Sequence, residues 1–191
     1  MNREVLRLSA WVKKRRTMRR YDLTADMYEM RYREEQEAEY RAALKHLTLK
    51  NALILDVGCG TGLLFSHVSA EGRIVCGIDF SRKTLVQAKK RAENLQNVHV
   101  VLADVDHLPL RENVVTVVFA FTVAQNVPNP LVTLREMKNI VRDNAKVVFT
   151  GLKRVFTLDD FKKLLSDAGL KTRFLESEDL QCYVAVGEFV H

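Results

Sequence analysis

With 191 residues, 47% of them apolar, the chain has material for one sizeable core and little room for a second domain. Cys59, Cys76 and Cys182 lack the paired spacing of a zinc site or disulfide framework, and His46, His67, His99, His107 and His191 stand apart from them, so the sequence proposes no metal and reads as a reduced, cytoplasmic protein. The net charge of +6 is concentrated: residues 1–20 hold eight Lys and Arg against Glu4, a net +7 that leaves the remainder at −1.

Residues 1–20 are therefore expected to be a basic arm. Val5, Leu6, Leu8, Trp11 and Val12 allow a short amphipathic helix before the cluster containing Arg15, Arg16, Arg19 and Arg20. Such clusters contact phosphate backbones, and also occur as solvated tails or membrane contacts. The cluster follows the apolar residues and no long apolar segment comes after it, the reverse of a secretory signal. Residues 21–47 read as a helical cap, one long helix or two, with Tyr40, Leu44 and Leu47 at helical spacing and an acidic middle of Glu34, Glu35, Glu37 and Glu39.

Residues 48–191 form the expected core. Ala52, Leu53, Ile54, Leu55 and Val57 make a continuously apolar strand that ends at Asp56 and Gly58. Gly58, Gly60 and Gly62 then alternate through a turn open to a ligand, and a helix is expected over 61–70, its free N–H groups aimed at that turn. A dinucleotide fingerprint needs its third glycine where Leu63 stands, so NAD is disfavoured. A second strand ends at Asp79, about 20 residues on, where a fold of this type places a ribose-binding carboxylate.

Ser81 caps a crossover helix with Leu85, Ala88, Ala92 and Leu95 inward. A third strand over 98–103 ends at Asp104, and the run 114–124, well short of the ~20 residues that span a bilayer, contains a fourth. Pro128 or Pro130 opens the next helix. Asp143 and Asn144 turn into a fifth strand over 146–150, and Thr157 and Gly169 bound a helix. Two strands over 172–176 and 180–186 finish the chain. The third strand is expected at a sheet edge with few charges, open to a protein partner or a second copy.

The strand ending in Asp56 with DVGCGTG after it resembles motif I of the class I S-adenosylmethionine (SAM) dependent methyltransferases, in particular the small type 11-like family, and the likeness extends over about 21–189. It implies an α/β, Rossmann-like fold, a mostly parallel seven-stranded sheet with helices on both faces. It also implies a cofactor site of Asp56, Gly58, Cys59, Gly60, Thr61 and Gly62 for the methionine part, Asp79 and Phe80 at the ribose, and Asp104 and Val105 at the adenine, whose amino group Asp104 would meet. Tyr21 and Tyr28 match a Y-D-x-x-A-x-x-Y segment that lies over the cofactor in relatives. The family's Asp at the start of the fourth strand is replaced by Thr116, a change expected to touch packing. The family's D/N-P-P-Y/F signature is missing, since Val127 follows Asn126. Gln125 and Asn126 instead occupy the two histidine positions of an x-H-H-L-P-D-P stretch and are candidates for orienting the substrate, or for capping their loop.

No catalytic base is singled out, because methyl transfer is mainly a matter of positioning. With only residues 152–156 between the fifth strand and the next helix, nothing but the arm is expected to cover the acceptor site. An open site and a basic arm make RNA, tRNA or rRNA, the leading acceptor, with Arg15, Arg16, Arg19 and Arg20 contacting it. The alternatives are a small-molecule enzyme whose arm is a lid, and a SAM-binding subunit that needs a protein partner.

Overall fold

A computed structural model describes the backbone of residues 3–175 and 179–190, with side chains described over 10–23, 33–175 and 179–190. Its centre is β1 (Leu53–Val57), buried at every position but the first. β1 pairs in parallel with β2 (Ile74–Asp79) on one side and β4 (Val115–Ala120) on the other. The sheet continues outward through β3 (Val98–Leu102) and β5 (Val141–Leu152). β7 (Cys182–Phe189) is inserted antiparallel between β5 and β6 (Leu170–Leu175), giving the order β3-β2-β1-β4-β5-β7-β6.

Helices cover both faces. α4 (Pro130–Ile140) and α5 (Leu158–Asp167) place Leu134, Met137, Phe161 and Leu165 on one side. α1 (Arg3–Leu44), α2 (Phe65–Val68) and α3 (Arg82–Ala92) place Tyr40, Phe65, Val68 and Leu85 on the other. The caps follow the sequence: the side chains of Ser81, Asn129 and Thr157 accept from Thr84, Leu131 and Asp160 N–H groups. Asn144 takes the left-handed φ of 62° expected of the turn. Strand β5 is longer than the expected 146–150, because residues from Val141 on already pair with β4 before a register shift opposite Val115 and Val117. Thr116 Oγ1 accepts from Leu53 N at 2.8 Å and donates to Leu53 O at 3.2 Å, so the departure at this position is structural.

Two elements differ from expectation. The helix after the glycine turn covers only Phe65–Val68, not 61–70. Gly62, at φ 78°, bends the chain so that the Phe65 ring lies under both Gly62 and Gly77, where added Cβ atoms would sit 2.4 and 2.5 Å from it. Anchoring that ring fixes residues 59–64 as successive turns, and a helix starts only afterwards. The second difference is α1, which runs without a break from Arg3 to Leu44 and joins the basic arm to the cap as one 42-residue rod.

Candidate functional site

The carboxyl ends of β1, β2, β3 and β4 open into a single cleft enclosing about 850 Å³, part of it open to solvent. This is the position at which open parallel sheets gather ligands. Gly58, Gly60 and Gly62 all have positive φ, at 71°, 54° and 78°. Their loop is held by bonds to β2 rather than by a helix terminus: Gly58 N and Cys59 N donate to Ile78 O at 2.7 and 3.0 Å, and Gly60 N donates to Asp79 Oδ2 at 3.0 Å. Gly62 N and Phe65 N close turns onto Cys59 O and Gly62 O. The expected row of free helix N–H groups is therefore absent among these donors, and the shape of the loop takes its place. A Cβ on Gly60 would meet nothing within 4 Å, so the cradle is open there.

Asp56 and Asp79 end adjacent strands and are both buried. Burial, reinforced by the neighbouring Asp79, pushes the Asp56 carboxyl up to about 8. Asp79 is also raised by burial, against the pull of N–H groups of Ser81, Gly60 and Phe80. Two of its acceptor sites hold Gly60 N and Ser81 N, and a carboxylate retains further lone pairs for a diol. The Cys59 thiol is raised by burial, then by Asp56 and Asp79, which makes it an inert part of the wall. Thr61, Phe80 and Val105 also line the cleft.

Helix α1 lies across the mouth. Lys13 Nζ donates to Val127 O at 3.1 Å, and Lys14 Nζ bridges Asp104 and Asp106, each at 2.6 Å. Burial works against the charge of Lys14, but the two acids outweigh it and hold its pKa up. Arg20 donates to Asn126 Oδ1 at 2.7 Å, while Asn126 Nδ2 donates to Tyr21 Oη at 2.7 Å and to Thr122 O. Asp22 accepts from Ser81 Oγ at 2.6 Å. Gln36 Nε2 donates to Thr122 Oγ1 at 3.4 Å, and the Tyr40 ring packs edge-on against Phe121 with centroids 4.6 Å apart.

The expected site residues thus divide. Asp56, Gly58, Cys59, Gly60, Thr61, Asp79, Phe80, Asp104, Val105, Tyr21 and Asn126 share the cleft. Gly62 shapes the loop from beneath through Phe65. Asp104 is already paired with Lys14, and both amide functions of Asn126 fasten α1 to the loop after β4. Gln125 bonds its own loop through Thr122 O. Arg15, Arg16 and Arg19 are exposed. Tyr28 lies outside the residues whose side chains are described. The sequence missed Lys14, Asp22, Gln36 and Phe121 as site residues; Gln36 had a signal only in its i, i+4 spacing with Tyr40. Lys14 was one cation among eight and had none.

Residues 55–149, about half the chain, match the family profile described as methyltransferase domain. Over 150 residues the chain is 31% identical to a malonyl-[acyl-carrier protein] O-methyltransferase of Marinomonas sp. (strain MWYL1), covering 77% of this chain and 55% of that one. This chain belongs to the class I SAM-dependent methyltransferases. A ubiquinone biosynthesis O-methyltransferase of Coxiella burnetii is 29% identical over 113 residues, covering 59% of this chain and 48% of the relative. The chain spans about half the length of these curated relatives. Its fold matches that of a SAM-dependent methyltransferase from Aquifex aeolicus with a TM-score of 0.79 at 20% identity, over 88% of this chain and 98% of that one.

The residues present fit the family's cofactor. Two buried acids with no cation between them among the described residues would suit an ammonium group beside Asp56 and a ribose diol at Asp79, and the open face of Gly60 leaves room for the main chain to be approached. Bound there, SAM supplies an electrophilic methyl group.

Proposed function

We propose that this methyltransferase catalyses SAM-dependent methyl transfer to the oxygen of a small acceptor, and that α1 is the lid of the site. One observation carries the reading: Lys13, Lys14 and Arg20, three of the arm's cations, bond to Val127, Asp104, Asp106 and Asn126 around the cleft, with Lys14 half-buried between its two acids. A surface meant for a phosphate backbone would keep such donors for phosphates rather than engage them at the rim of the cleft. The choice of oxygen draws on the two curated relatives, both named O-methyltransferases.

The chain's own contribution is positioning. Tyr40, Phe121, Val123 and Val127 supply apolar walls, and Gln36, Thr122 and Asn126 supply polar groups at fixed places. An acceptor held there in line with the methyl group has most of the entropic cost of encounter removed before reaction. Among the described residues no histidine lines the cleft, and a carboxylate or water is the acceptor available for any proton lost.

A second reading, RNA as acceptor, is supported by Arg15, Arg16 and Arg19, which remain exposed. Methyl-labelled SAM offered with separated small molecules, RNA and protein from cells decides between them. Label in the small-molecule fraction is the expected result. Label in RNA, lost when residues 1–20 are removed, would overturn it.

A further inference from the structure

The fold brings together three groups that the sequence keeps far apart. Glu35 and Glu39 stand one helical turn apart on α1, and Cys182 begins β7; one ligand atom from each lies within 4.8 Å of the other two. Glu39 is fully buried, and among the described residues nothing but the facing Cys182 thiol is placed to bond its carboxylate oxygens. Cys182 is a buried free thiol. A buried carboxyl group that faces only a thiol is costly in either protonation state, because the neutral acid lacks a good acceptor for its proton and the anion has no counter-charge. Neither the cleft nor the lid contacts described above account for it, and the arm's cations lie at the other end of α1.

We propose that Glu35, Glu39 and Cys182 are a divalent metal site, of borderline softness and best suited to zinc, that clasps α1 to β7. A thiolate with two carboxylates is a donor set that zinc accepts, whereas calcium and magnesium require a shell made of oxygen. Ligand atoms around a tetrahedral zinc stand roughly 3.3–3.7 Å apart, so side-chain rotations that move each atom by up to about an ångström close the observed triangle. Three protein ligands leave a fourth position for water.

The placement gives the clasp a purpose. Gln36 and Tyr40 line the cleft on the same turns of α1, flanking Glu39. Across the sheet, Cys182 pairs with Leu152 in β5, two residues beyond Thr150, whose Oγ1 holds the Thr122 N–H at the end of β4. A metal bound here fixes the distance between the lid helix and the floor of the acceptor side. The cation takes the place that hydrogen bonds leave empty, and thiol and acid yield their protons as it enters. The inference is independent of the methyl acceptor and would hold for either reading above.

The test uses full-length protein stripped with chelator and titrated with cobalt(II), then zinc(II). The expected result is one equivalent of cobalt bound with a thiolate-to-cobalt absorption band, displaced by zinc, and a rise in Tm with one equivalent of zinc. Cys182→Ala should remove the band, and the isosteric Glu39→Gln should weaken cobalt binding by about tenfold or more. Absence of the band with stoichiometric cobalt would overturn the proposal. So would a band that survives in Cys182→Ala, which would place the metal on Cys59 or Cys76, or unchanged affinity in Glu39→Gln. Should Cys182→Ala fail to fold, the wild-type band and the Glu39→Gln titration still decide.

Discussion

Asp56 and Asp79 place two carboxyl groups side by side at the ends of neighbouring strands, and their environments fix a pH dependence. In the unfolded chain an aspartate titrates near ~3.9, whereas burial and Asp79 push Asp56 in the folded protein up to about 8. Between these values the folded state binds the extra proton, so the contribution of Asp56 to stability is greatest below the lower value and falls as pH rises to the upper one. An ammonium group beside Asp56 favours the ionised form. Cofactor binding near pH 7 should therefore release a proton, with affinity rising from pH 6 to 8. Calorimetry in buffers of different ionisation enthalpy measures that release, and Asp56→Asn should abolish it. Proton uptake instead would remove Asp56 from the ammonium site.

Lys14 is a second residue with a measurable consequence. Its ammonium occupies Asp104, the acid that the family resemblance assigns to the adenine amino group. Lys14→Met should free that carboxylate and tighten S-adenosylhomocysteine binding several-fold, because opening the lid no longer breaks an ion pair. Weaker binding would make Lys14 part of the cofactor site rather than a latch over it.

At the scale of elements, the glycine turn separates shape from fold. Gly60 faces open space at φ 54°, so Gly60→Ala should cost only about 1–2 kcal/mol of backbone strain while blocking the cradle. Gly62 has its Cβ direction filled by Phe65, and Gly62→Ala should cost about 2 kcal/mol or more from overpacking in addition to strain. Thermal melts and cofactor titrations of the two variants test this. The first should bind poorly and melt nearly as wild type, the second should melt several degrees lower, and the reverse order would refute the assignment. Strands β1 to β4 and the caps at Ser81 and Thr157 were legible because apolar runs, side-chain caps and terminal acids are local signals. The length of α2 was not, since it depends on the Phe65 ring reaching Gly77 on another strand. The arm as a lid was legible only as an alternative, and the contacts that hold it were not. Charge clustering locates cations along the chain but says nothing of the side they face, and the partners of Lys14 lie 90 residues and more away. The same blindness hid Glu39 and Cys182, because a search for metal ligands among His and Cys spacings passes over two glutamates on a helix.

Across the whole molecule, the sheet sets four strand ends in one row and α1 closes over it from β3 to β4. The positive excess of the sequence is therefore divided between an inner face that holds the lid and an outer face of Arg15, Arg16 and Arg19. No helix among the described residues is long and apolar enough to cross a membrane. At the outer edge β3 leaves Leu102 exposed, the surface on which we would look for a protein partner or a second copy. Every functional reading, whatever the acceptor, requires that the acids of β1 and β2 and the glycine cradle hold a nucleoside with an amino-acid tail. The direct measurement is a calorimetric titration of the full-length protein with S-adenosylhomocysteine, repeated with Asp79→Asn. Saturable one-to-one binding in the wild type that is reduced at least tenfold in a folded Asp79→Asn protein is the predicted result. No heat in the wild type, or equal affinity in the two proteins, would contradict it.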